Sequence, residues 1–104
     1  MLTQDGAIDT VRNYAREIEA FGIRLQKVFL FGSFAKGTQH EWSDIDVALV
    51  ADEFDGLPHD MRLFPRIGSK KSYVRIDALT YPTDYFLQSD PFIEEIKKTG
   101  IVIK

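Results

Sequence analysis

FGSFAKGTQHEWSDIDVALV, residues 31–50, holds a glycine–serine turn a short way ahead of two aspartates that interrupt an apolar run. Upstream, KVFLF at 27–31 is a β-rich run that stops at Gly32, and SFAKG at 33–37 predicts a brief helical segment or turn. DIDVALV at 44–50 then predicts a second strand. Side chains alternate along a strand, so Asp44, Asp46 and Ala48 share one face while Ile45, Val47 and Leu49 share the other. Two strand rises separate the aspartate Cα atoms by roughly 6.5–7 Å, which lets their carboxylates converge on a cation. Asp46 costs strand propensity and loses hydration, so a purely structural role explains it poorly.

Working outward, YVRIDALTY at 73–81 predicts a third strand, stopped by Pro82, with Asp77 between Ile76 and Ala78. If this strand pairs beside the second, three acids meet. Ile8, Val11, Ala15 and Ile18 recur at helical spacing within residues 4–21 and predict an amphipathic first helix closed near Gly22. Residues 52–58 read as a loop and HDMRLFPRI at 59–67 as a short helix interrupted by Pro65. Thr83 is expected to cap a helix TDYFLQ, and a last helix runs from Pro91 to Gly100, leaving IVIK as an edge strand. Trp42 and the phenylalanines are assigned to the core or a pocket wall, His40 to an exposed loop, and the aromatic stretch 81–92 to a second core cluster.

The chain has 104 residues, 44% hydrophobic and 28% charged, which predicts one folded domain over 1–104 and excludes the disordered and fibrous classes. No apolar run approaches the roughly 20 residues that span a bilayer, and residues 1–20 lack the charge order of a secretory signal, so the expected location is the cytoplasm, with no membrane partner. A net charge of −3 gives no general field for nucleic acid, and none is expected as a direct partner. Arg62, Arg66, Lys70, Lys71 and Arg75 make one locally basic stretch, read as solvated surface.

Carboxylates about 4 Å apart repel by about 4 kcal/mol at an effective dielectric near 20, so the acid cluster calls for a proton or a cation. All-oxygen ligation suits magnesium, with manganese as the alternative. Zinc is excluded in practice: there is no cysteine, and His40 and His59 are not in ligand spacing. The turn before the short helix presents backbone N–H groups to an anion, so Gly32, Ser33, Lys36 and the N–H of Gly37 are candidates for phosphate. No Walker A ending and no G-x-G-x-x-G fingerprint occur.

Gly32-Ser33, ten intervening residues, Asp44-x-Asp46 and a later strand acid at Asp77 resemble the signature of the DNA polymerase β-type nucleotidyltransferases. Within that superfamily the short chain is similar to the minimal nucleotidyltransferases (MNT), antitoxins often encoded beside HEPN-domain toxins. The resemblance implies an α+β nucleotidyltransferase (polymerase β-like) fold, a mixed sheet of three or four strands flanked by helices. It implies that Asp44, Asp46 and Asp77 are the catalytic and metal-binding acids, holding two magnesium ions. Gly32, Ser33, Lys36, Gly37 and Ser43 would contact the nucleoside triphosphate, with ATP as substrate. Many relatives carry arginine where this chain has Lys36, which keeps the charge but loses bidentate phosphate contact. The implied activity is AMP transfer to a hydroxyl, a tyrosine of a HEPN toxin, in a hetero-oligomeric pair. The alternative is a non-catalytic antitoxin that neutralises its partner by binding; transfer to a small molecule ranks last.

Overall fold

The computed structural model describes residues 2–54 and 73–104. The predicted helix 59–67, most of the loop before it, and Arg62, Arg66, Lys70 and Lys71 lie outside these described residues.

The first helix, α1 (Gln4–Ala20), begins where Thr3 accepts a hydrogen bond from the Gly6 N–H, and Asp5 in its first turn suits the positive end of the helix dipole. It buries Ala7, Val11, Tyr14, Ala15 and Ile18 along one stripe. Strand β1 (Leu25–Phe31) leads through Gly32 into the one-turn helix α2 (Ser33–Lys36), and β2 (Ile45–Ala51) returns antiparallel to β1. Strand β3 (Ile76–Tyr81) pairs parallel to β2. Helices α3 (Thr83–Gln88) and α4 (Pro91–Thr99) follow, then β4 (Ile101–Val102) on the far side of β1. The mixed sheet runs β3-β2-β1-β4, which agrees with the expected class.

Because β2 is central and covered on both faces, it is almost continuously apolar rather than alternating. Ile45, Val47, Leu49 and Ala51 pack into the core beneath α1 and α2 with Val28, Leu30 and Phe34. Ala48 and Val50 pack into a second core with Phe29, Phe86, Ile93 and Ile96, under α3 and α4. The Phe29 and Phe86 rings lie 5.6 Å apart.

Several expectations need correction. The third strand starts at Ile76, not Tyr73; Tyr73 instead meets the Tyr14 ring edge-on at 5.2 Å in the first core. The second strand starts at Ile45, leaving Asp44 at its threshold. Thr83 does not cap α3: extended Pro82 precedes the helix, Thr83 is its first residue, and Thr83 Oγ1 is buried with no hydrogen-bond partner among the described residues. The 81–92 stretch, expected as a second core cluster, is so only in part, with Phe86 buried but Tyr85, Leu87 and Phe92 exposed. Trp42 is neither core nor pocket wall; it is 81% exposed. The last helix agrees with the sequence reading, with Asp90 accepting the Ile93 N–H at 2.8 Å, Pro91 in the first turn and the Gly100 N–H closing onto Ile96 O. Among the described residues, no helix is long and apolar enough to cross a membrane.

Candidate active site

Strand register assembles the site. Phe31 on β1 stands opposite Asp46 on β2, and Asp46 stands opposite Asp77 on β3, so the three form a row across the sheet on the α3–α4 face. Two chemically awkward side chains thus come together because the parallel pairing places residues far apart in sequence side by side. Asp46 is half-buried, whereas Asp44 and Asp77 are exposed.

Gly32 makes the turn beside this row. Its backbone lies at φ 75° and ψ −150°, a region essentially reserved for glycine. A β-carbon at Gly32 would also run into Asp46 Oδ2, so the missing side chain is what lets the carboxylate lie against the turn. The Lys36 N–H bonds to Gly32 O at 3.1 Å and closes the first turn of α2. Gln4 Nε2, donating to Phe34 O at 2.9 Å, pins that short helix to α1. The backbone N–H groups at the start of α2 have no acceptors within the helix itself, which is what suits the Gly32–Ser33 turn to an anion.

The structure assigns other work to three of the candidate phosphate residues. Gly37 takes the left-handed conformation that ends α2, and its N–H donates to Ser33 O rather than pointing at a ligand. The Lys36 ammonium lies 3.7 Å from Glu95 Oε1 on α4, both side chains half-exposed. Ser43 is 7% exposed, and its hydroxyl accepts the His40 N–H at 2.9 Å while its own N–H donates to His40 O at 3.0 Å. These bonds close the turn at 40–43 and deliver the chain to Asp44.

Sequence reasoning missed the part played by Arg75. Read in the sequence as part of a solvated basic stretch, it directs Nη2 to Glu41 O and Ser43 O, with its guanidinium 6.0 Å from the Phe34 ring centre. The Ile45 N–H bonds back to Arg75 O at 2.9 Å. Arg75 therefore ties the turn before Asp44 to the start of the Asp77 strand. Backbone carbonyls as acceptors leave no trace in residue identity, so nothing in the sequence marked this role.

Burial, then the charge of Asp77, then that of Asp44 push the Asp46 carboxyl up to about 6. The sequence reading expected both the desolvation and the repulsion. Among the described residues, no three His, Cys, Asp or Glu side chains converge at metal-holding distance. The acids are neighbours that feel one another's charge rather than a closed cage. The donor set nonetheless fits a hard divalent cation: it is all oxygen, and a cation would relieve the two causes of repulsion acting on Asp46.

The family model described as the nucleotidyltransferase domain matches residues 8–103. The chain is 29% identical over 98 residues to MJ0141 of Methanocaldococcus jannaschii, provisionally named a protein adenylyltransferase, covering 92% of this chain and 97% of that protein. A shorter stretch of 35 residues is 54% identical to the protein adenylyltransferase MntA of Shewanella oneidensis, covering 33% of this chain and 25% of MntA. Among solved structures, a toxin–antitoxin complex with AMP-PNP superposes with a TM-score of 0.57 at 22% identity, over 89% of this chain and 72% of that one, a likeness of fold. A match of this extent, on a chain whose sheet sets Asp46 beside Asp77 and against the Gly32 turn, makes this chain a member of the nucleotidyltransferase domain family.

Proposed function

We propose that this chain, acting as a single cytoplasmic domain, transfers AMP from ATP to a tyrosine hydroxyl of a HEPN-domain toxin and thereby serves as its antitoxin. The observation that carries the reading is the acid row lying directly against the Gly32–Ser33 turn. It is supported by two relatives named as protein adenylyltransferases. In the proposed reaction the hydroxyl oxygen bonds to the α-phosphorus, the bond from that phosphorus to the β-phosphate oxygen breaks, and pyrophosphate leaves. The hydroxyl proton departs toward Asp77. Asp44 and Asp46, with Asp77, would hold magnesium, which supplies charge neutralisation at the triphosphate and lowers the acceptor's pKa when bound. The turn at Gly32–Ser33 orients the β- and γ-phosphates through backbone N–H groups and the Ser33 hydroxyl. Lys36 reaches phosphate only by leaving Glu95, an exchange that an exposed pair permits at little cost.

The test is to incubate the chain with its HEPN toxin, ATP and magnesium, and to weigh the intact toxin. A gain of one or more AMP units, abolished by Asp46→Asn, is the expected result; an unchanged mass sinks the transfer reading. An Asp46→Asn chain that still protects cells from the toxin would indicate neutralisation by binding alone.

A further inference from the structure

We infer that Trp42 is the docking residue for the protein that carries the acceptor hydroxyl, and that it does not contact the nucleotide. This rests on the adenylyl-transfer reading and adds to it the surface that recognises the second substrate.

Trp42 is the chain's single tryptophan, and at 81% exposure it is the most exposed large apolar side chain among the described residues. A tryptophan can bury on the order of 150–250 Å² on contact, so leaving one in water forgoes a large gain unless a partner covers it. The backbone beneath the indole is already fixed. Trp42 N–H donates to His40 Nδ1 at 3.3 Å, the two His40–Ser43 bonds close the turn, and Arg75 holds the carbonyls of Glu41 and Ser43. Binding through such a residue orders little further backbone, which is the condition under which one side chain dominates an interface.

Position and charge decide the occupant. The phosphate turn follows β1, on one flank of β2. The Trp42 turn is fastened by Arg75 to the start of β3, the other flank, where Asp77 faces the incoming hydroxyl in the proposed reaction. Glu41, next to the indole, is an exposed carboxylate outside the magnesium set and repels a polyphosphate, whereas a folded protein surface can cover the indole and leave that acid in water.

One tryptophan makes the test a one-signal experiment. The chain is labelled with fluorotryptophan and its fluorine resonance followed as ATP with magnesium, then the unlabelled HEPN toxin, is added. The expected result is no displacement with nucleotide, then a displaced resonance that loses its H2O/D2O isotope shift with toxin. Trp42→Ala should weaken toxin binding by about 30-fold while ATP–magnesium affinity changes less than about twofold. In turnover it should raise KM for the toxin and leave kcat in place. A resonance moved by ATP and magnesium alone, or a Trp42→Ala chain that binds the toxin as tightly as the parent, overturns the inference. A toxin that binds and covers Trp42 but never gains AMP overturns the transfer chemistry and leaves the docking role standing; a toxin that does not bind overturns both.

Discussion

Gly32 and Gly37 share a positive φ, 75° and 74°, yet differ in surroundings: a β-carbon at Gly37 meets nothing within 4 Å, whereas one at Gly32 meets the Asp46 carboxylate. Gly37→Ala should therefore cost about 1 kcal/mol in urea unfolding, the ordinary penalty for a left-handed residue. Gly32→Ala should cost about 3 kcal/mol and also lose ATP–magnesium binding by calorimetry, because relief of the clash moves Asp46. Equal losses of stability would mean that the contact with Asp46 is unimportant. Asp46 itself carries a pH signature. Its folded pKa of about 6 lies above the ordinary carboxylate value of 3.8, so its protonated form is the one the fold favours. The stability it contributes is fully present below about pH 3.8 and is lost as pH rises through about 6. Asp46→Asn should accordingly raise the Tm at neutral pH in EDTA, with the gain shrinking below pH 6 and vanishing near pH 4. The same variant should lose activity by roughly hundredfold or more.

Among the elements, the turn at 40–43 and the strand it feeds separate what composition reveals from what it hides. Strand β2 was legible because an aspartate inside an apolar run is an expensive choice, and α4 was legible because Pro91 and Gly100 bracket its stretch. Ser43 is ambiguous in the sequence, since a serine beside an acid looks the same whether it contacts a ligand or closes a turn; the structure adds its burial and its bonds to His40. Trp42 was misread for the complementary reason, because large aromatics usually supply core and only the fold shows which ones are left outside. Ser43→Ala leaves the His40 N–H without its acceptor and should cost about 1–2 kcal/mol in chemical denaturation. ATP–magnesium affinity of the folded variant should change less than about twofold, a split expected of a residue that shapes the turn without touching nucleotide. A large affinity loss with unchanged stability would restore Ser43 to the nucleotide contacts.

For the molecule as a whole, the sheet divides the interior into two cores, and the acids sit on the face of the smaller one. Phe86 is fully buried at its centre, against Phe29 and Tyr81, with Lys97 Nζ 5.0 Å from its ring centre. Phe86→Ala should cost about 3–5 kcal/mol, and hydrogen exchange should show α3 and α4 losing protection ahead of α1. Uniform loss of protection would mean the two cores melt as one unit. The register that builds the active row has a further consequence, for folding fidelity. A strand displaced by one residue turns every side chain to the opposite face. If β3 slipped one position along β2, Asp77 would turn toward the apolar layer beneath α1, and an unpaired carboxylate there costs several kcal/mol. The side chain that serves the chemistry therefore also acts as a proofreader of the pairing, and the chain reaches its lowest energy only in the alignment that sets Asp77 beside Asp46.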